Sequence, residues 1–352
     1  MSTNKKGVLG SAILVSALLL SGCGLFGTET VKKIDPPKST AYTKDSGLAN
    51  SIQDKEATET EGTVKTELYL IDKDGYVVSQ TLSLPKKAAV AKQALEHLVE
   101  NGPVSEMLPN GFRAVLPADT DVSVDVKKDG MAIVNFSKEF KNYQPEDEQR
   151  ILDAVTWTLT QFDSIKKVKL KMNGHELTEM PVNGTPISEN LSRTSGINMD
   201  SSNVTDIMNT RPVTVYYIGG KEGAYYYVPV TRRVSNTIET NIEAAVMELA
   251  KGPSSALLDS DFMNKVKLVD KPKVENGTAT LNFNEAVYGS FKEEEKVISQ
   301  HLLDALVLTL TEQEGIDKVS IQVNGKAELV KEDGKKLTEP VTRPQKVNTG
   351  SF

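Results

Sequence analysis

Residues that carry chemistry are scarce in this sequence. Of 352 residues one is cysteine, Cys23, and three are histidines, His97, His175 and His301. A single thiol excludes an internal disulfide framework and a zinc-thiolate site. No glycine-rich phosphate loop, nucleophile elbow or His-Glu zinc motif is present. Charge is not gathered either: 41 Lys and Arg are interspersed with 48 Asp and Glu, for a net charge of -7. No basic stripe points to nucleic acid, and no acidic tail points to a cation reservoir. No cofactor or metal is expected.

The cysteine has an informative setting. Lys5 and Lys6 precede an uncharged, mostly apolar run from Val8 to Leu20, followed by Leu20-Ser21-Gly22-Cys23. The run falls short of the ~20 residues that span a bilayer as a helix. The order of residues is that of a secretion signal ending in a lipobox, with residues 1–22 removed and Cys23 carrying a diacylglyceryl group. The alternative is a plain secretion signal or a buried, small hydrophobic cysteine. Two or three acyl chains anchor durably where one is marginal. From 23 to 62 the chain is polar, includes Lys32-Lys33-Ile34-Asp35-Pro36-Pro37, and lacks apolar periodicity. We read it as a flexible tether of a few tens of ångströms.

Beyond the tether the chain repeats itself. "ALEHLVENGP" (94–103) returns as "AVMELAKGP" (245–253), and "GMAIVNFSKEF" (130–140) as "GTATLNFNEAV" (277–287). "DAVTWTLTQFDSIKKVKLKMNG" (153–174) returns as "DALVLTLTEQEGIDKVSIQVNG" (304–325). Three ordered blocks at a spacing of about 150 residues indicate a tandem duplication of one globular domain. The first copy is placed at 63–182 (core signature 90–178), the linker at 183–211 and the second copy at 212–342 (core signature 240–330).

In the first copy, two apolar runs flank Asp74-Gly75, a hairpin signal. Val90, Ala94, Leu95, Leu98 and Val99 share a helical face that ends at Gly102-Pro103. Val122, Val124 and Val126 alternate with polar residues before a turn at Asp129-Gly130, and Ala132, Val134 and Phe136 continue the alternation. A helix from about Glu146 to Phe162 and a strand with Val168, Leu170 and Met172 follow. The second copy runs in parallel. The expected fold is α+β, twice over: small domains, each a mixed sheet packed by two helices.

Candidate sites of chemistry are weak. His301 and Asp304 have helical i, i+3 spacing, but their first-copy equivalents are Arg150 and Asp153 and no further ligand is suitably spaced. Asp72-Lys73-Asp74-Gly75 begins like a calcium loop, yet Tyr76, Val77 and Val78 stand where ligands are needed, so it reads as a turn. The informative anomaly is Trp157. At 100° per residue it points away from the apolar face centred between Ile151 and Leu159, and its counterpart Leu308 is likewise off the face of Leu302, Leu306 and Leu310. The second helix, with Val297, Ile298 and Val307 added, reads as apolar almost all round. Either another part of the chain covers Trp157 and Leu308, or they form a contact surface for a partner, since aromatic anchors dominate interfaces.

The lipobox, the tether and the two copies of the pattern ALxxL…GP, GxAxxNF, DAxxxTLT and VxxxxNG together resemble the GerMN-domain family of sporulation and germination lipoproteins. The resemblance extends from Lys5 through the second copy. It implies domains similar to ring-building motifs, a non-enzymatic role, and endospore-forming bacteria as the setting. It also implies partners among the protein components of the channel complex joining mother cell and forespore. The implied location is the outer forespore membrane, facing the intermembrane space. The implied function is a lipid-anchored scaffold that helps assemble or localise that complex. A binding module for cell-wall glycan or a small ligand in the interdomain cleft is the alternative.

Overall fold

A computed structural model describes residues 62–202, 206–221, 223–262, 265–288 and 296–348. The signal, Cys23 and the tether to residue 61 lie outside the described residues.

The first copy begins with an antiparallel hairpin, β1 (Thr63–Asp72) and β2 (Val77–Pro85), followed by α1 (Val90–Glu96), β3 (Phe112–Arg113), β4 (Val122–Val126), β5 (Met131–Phe136), α2 (Glu148–Thr160), β6 (Lys167–Met172) and β7 (His175–Glu176). The second has β8 (Thr210–Lys221), β9 (Ala224–Ser235), α3 (Asn241–Lys251), β10 (Lys273–Glu275), β11 (Thr278–Phe283), β12 (Val297–Ile298), α4 (Gln300–Thr311), β13 (Lys318–Val323), β14 (Val330–Lys331) and β15 (Val341–Thr342). The fold is α+β, as expected. Each copy has a four-stranded mixed sheet, ordered β4-β5-β6-β7 and β10-β11-β13-β15. The central pairs β5/β6 and β11/β13 are parallel and are joined through α2 and α4, as a parallel pair requires a crossover. Alternation buries Ala132, Val134 and Phe136 against Val168 and Leu170, and Ala279, Leu281 and Phe283 against Val319 and Ile321, with Asn282 buried as well.

The hairpins β1/β2 and β8/β9 do not join the four-stranded sheets but form sheets of their own. Helix α2 packs on β6 and also on β1, and α4 packs on β13 and also on β8, so each helix is apolar on two sides because it is covered on two sides. Two local readings need correction, the end of the first helix and the start of the last. Helix α1 stops at Glu96 instead of running to Gly102, because the Leu98 carbonyl accepts the N–H groups of Val115 and Leu116 and draws the chain out of the helix. Val297 and Ile298 form β12, outside α4, which starts after Ser299, whose hydroxyl caps the Leu302 N–H. The predicted turn is present: Asp72 Oδ1 accepts the N–H groups of Asp74 (2.9 Å) and Tyr76 (2.8 Å), with Gly75 at φ 88°.

The linker is built into the structure. Leu191 O accepts the Val168 N–H of β6, and residues 197–200 run alongside β9, where Thr231 N–H bonds Ile197 O and Asp200 N–H bonds Thr231 O. Asp200 is held by the guanidinium of buried Arg232 (3.0 Å), which also pairs with Glu248 of α3 (3.1 Å). The linker is thus stitched to both copies.

Candidate functional site

Trp157 and Leu308, the candidate interface residues, are both buried inside this one chain. The reading of them as an exposed contact surface is therefore corrected. Trp157 faces β1, where its ring meets Tyr69 edge-on at 5.6 Å. Its Nε1–H donates to Gly196 O (2.9 Å), and the Arg193 guanidinium lies 4.1 Å from the ring centroid. Leu308 packs with Tyr216 of β8 and with Val347. In each copy the cover is the leading hairpin and the segment that follows the copy.

Those two following segments are equivalent, and each reaches into the other copy. Asn198 Oδ1 accepts the N–H of Val77 (2.8 Å), while its Nδ2 donates to Val77 O (2.7 Å) and to Pro229 O (2.7 Å). Asn348 Oδ1 accepts the N–H of Tyr227 (2.8 Å), while its Nδ2 donates to Tyr227 O (2.8 Å) and to Ser79 O (2.9 Å). Adding 150 to 198, 77 and 79 gives 348, 227 and 229, so the two sets of bonds are related by a pseudo-two-fold axis. One residue earlier the pattern holds again. Ile197 exchanges two hydrogen bonds with Thr231, and Val347 makes the same two with Thr81, whose hydroxyl also lies 2.9 Å from Val347 O. Both asparagines sit in the left-handed region, at φ 45° and 55°, which asparagine tolerates better than other non-glycine residues. Their side chains give the facing edges of β2 and β9 the partners those edges would otherwise lack.

Four charged side chains lie on the same seam. Arg193 Nη1 is 2.6 Å from Glu312 Oε1, and Arg343 lies 3.6 Å from Glu312 and 3.7 Å from Glu67. Arg343 also faces the Tyr216 ring at 5.5 Å, as Arg193 faces Trp157. Burial pushes the Glu312 carboxyl up, but Arg193 and Arg343 outweigh it and hold the carboxyl below its usual range. Asp153 of α2 accepts the Asn198 N–H (3.0 Å), and burial pushes its carboxyl up to about 6. The matching Asp304 accepts the Tyr227 hydroxyl (3.0 Å) and is raised by burial as well.

His301 does not assemble a metal site. Its Nδ1 lies 3.2 Å from the same Tyr227 hydroxyl, and the described residues contain no group of three or more His, Cys, Asp or Glu placed to hold a metal. No described helix is long and apolar enough to cross a membrane.

Comparison with known proteins outlines the two repeated domains. The model of the family "Germane: Sporulation and spore germination" matches residues 67–178 and again 214–329. The chain belongs to the Germane family. It is similar to the spore germination protein GerM of Bacillus subtilis (strain 168), with 57% identity over 99% of this chain and 100% of that one. Among solved structures, the tandem GerMN domains of the B. subtilis sporulation protein GerM match at TM-score 0.77 and 60% identity, covering 82% of this chain and 100% of that one. The first GerMN domain of that protein, solved separately, is 74% identical, with TM-score 0.37, and covers 37% of this chain and 98% of that one.

The seam residues Arg193, Asn198, Arg343 and Asn348 all lie outside the two Germane matches. The sequence reading missed them, although "RTSGIN" (193–198) and "RPQKVN" (343–348) share Arg, a β-branched residue and Asn at one spacing. With three identical or similar positions in six, that fourth repeated block is legible only after the others have set the offset.

Proposed function

We propose that this protein is a non-enzymatic, lipid-anchored scaffold of sporulation and germination. In this reading Cys23 carries the diacylglyceryl group that holds the chain on the outer forespore membrane, facing the intermembrane space. The folded part helps assemble or localise protein components of the complex joining mother cell and forespore. Membership of a sporulation and spore germination family and similarity to a spore germination protein support the setting. The observation that carries the scaffold reading is the reciprocal seam. Asn198 and Asn348 join two related domains into one body, and their bonds are made within the chain. A double-domain body held this way offers two related outer faces at a fixed separation, which suits positioning of partners better than turnover of a substrate.

The alternative, glycan or small-ligand binding in the interdomain cleft, needs polar and aromatic side chains open at the seam. There Tyr69, Trp157 and Tyr216 are buried and Arg193 is paired with Glu312, which favours the scaffold. The test is complementation of a strain lacking its own homologue with the wild-type chain, Cys23→Ala, or Asn198→Ala with Asn348→Ala. The scaffold reading expects each variant to lower germination and to reduce the complex components recovered in the envelope fraction. Full germination with the double asparagine variant, shown to be loosened at the seam, would remove the argument for a fixed body.

A further inference from the structure

The duplication supplies an internal comparison of the outer sheet faces, on which the copies differ. In the first copy the outer positions of β5 are Met131, Ile133 and Asn135, in parallel register with Lys167, Lys169 and Lys171 of β6. In the second copy the same registers hold Thr278, Thr280 and Asn282 beside Lys318, Ser320 and Gln322. One domain therefore carries a row of three lysines about 7 Å apart along a strand, beside two half-exposed apolar side chains. Its twin has a single lysine, Lys318, in that row, and β10 adds Lys273 and Glu275 of opposite charge beside Thr280 and Thr278. The core does not require the row, since the three lysines alternate with Val168 and Leu170, which fill the buried face of the same strand. Lys169 pairs with Glu176 (2.8 Å), and Lys167 donates to the neutral Asn190 (3.0 Å).

We propose that the outer face of the first sheet, centred on Lys167, Lys169 and Lys171, is an electrostatic docking surface for a bilayer carrying anionic phospholipid headgroups. The charge is complementary, on a chain whose net charge is -7. The position of the described fold argues for a bilayer: it begins at Gly62, 39 residues after Cys23. This part rests on the anchored reading given above. A tether of that length keeps the sheet within a few tens of ångströms of the membrane, so a contact too weak to recruit a free protein suffices to orient a tethered one. Met131 and Ile133 beside the charges suit the boundary of headgroup and acyl chain better than a wholly polar wall polymer.

The experiment uses the mature, unacylated chain with Cys23→Ser and vesicles of phosphatidylcholine with or without phosphatidylglycerol. Binding is expected only to the vesicles with phosphatidylglycerol, and is expected to be lost at high salt. K167Q/K169Q/K171Q is expected to lower the partition coefficient about 100-fold, at about fivefold per lysine. A control, K326Q/K335Q/K336Q, is expected to leave it nearly unchanged. Glu176→Gln, which releases Lys169, is expected to raise it about fivefold. Equal binding to both vesicle types, equal loss in the triple variant and its control, or binding to isolated cell wall but not to vesicles would overturn the proposal. Melting curves confirm that each variant is folded. Because Cys23 is unacylated here, failure of this face is distinct from failure of the anchor, which mass analysis of Cys23 in cells tests on its own.

Discussion

The seam makes a quantitative demand on Asn348. Its carboxamide makes three hydrogen bonds, to the N–H and O of Tyr227 and to Ser79 O, and the residue is buried. Asn348→Ala leaves three backbone groups without these partners, each worth about 1 kcal/mol. It also places a Cβ without a compensating polar group at φ 55°, adding about 1 kcal/mol. The expected cost is about 3–4 kcal/mol. Asn348→Gly removes the same bonds without the backbone strain, so its cost is expected to be about 1 kcal/mol smaller. Trp157 is the only tryptophan and lies on the seam, so its fluorescence reports the seam while far-UV circular dichroism reports the whole. In urea the wild type is expected to show one coincident transition. In Asn198→Ala/Asn348→Ala the fluorescence transition is expected to move to lower urea than the dichroism. If Asn348→Ala costs less than about 0.5 kcal/mol, or if Asn348→Gly costs nothing, the side-chain bonds do not hold the seam and the reasoning fails.

Three other sites carry testable consequences. Glu148 accepts the N–H groups of Val182 (3.1 Å), Asn183 (2.6 Å) and Thr185 (2.9 Å); burial pushes its carboxyl up, but these bonds outweigh it and hold it at about 2 against an ordinary 4.5. A depressed folded value stabilises fully above about 4.5 and loses that stability as pH falls toward 2, so acid titration of Glu148→Gln is expected to show a shallower loss of stability over that window than wild type. Trp157→Phe removes the bond to Gly196 O and part of the ring, at an expected cost of about 2–3 kcal/mol in urea unfolding, whereas Trp157→Ala is expected to cost about 3–5 kcal/mol. Arg232→Met leaves buried Glu248 without its guanidinium partner and is expected to cost about 3–5 kcal/mol by thermal unfolding, part of which Glu248→Gln in the same chain is expected to restore.

Much of each domain was legible because it rests on local periodicity. Ala132, Val134 and Phe136 alternate as a half-buried strand must, and Asp74-Gly75 announces its turn. The anomaly at Trp157 was legible too, as a large apolar residue off the expected face. Its meaning was not, because it depends on where the leading hairpin goes. A hairpin signal at Asp74-Gly75 is the same whether the hairpin extends a sheet or lies across a helix. Helix α1 shows the same limit: Val90 to Val99 keeps a helical period, yet two N–H groups from Val115 and Leu116 capture the Leu98 carbonyl and end the helix early. Tertiary hydrogen bonds of this kind leave no mark on local pattern. Asn198 and Asn348 are harder still, since isolated asparagines in polar segments look like linker.

The pseudo-dyad also restricts what the two copies can do next. A two-fold interface is self-complementary, and pairing two copies consumes it. Here tandem duplication closes that interface inside one chain: Asn198 finds Pro229 where a symmetric partner would present Ser79, and Asn348 finds Ser79. Duplication in one chain also frees the copies to diverge on surfaces the dyad does not use, because a substitution in one copy is no longer imposed on the other. The outer sheet faces show that divergence, with Lys169 and Lys171 in one copy where the other has Ser320 and Gln322. Inside the seam part of the chemistry is instead retained, with Arg193 matched by Arg343 and Thr231 by Thr81, whereas Leu308 stands where the first copy has Trp157 and Glu312 where it has Gln161. Arginine, threonine and asparagine kept at the dyad contacts, with lysines gained on one outer face, fit a seam held by reciprocal bonds and outer faces released from that constraint.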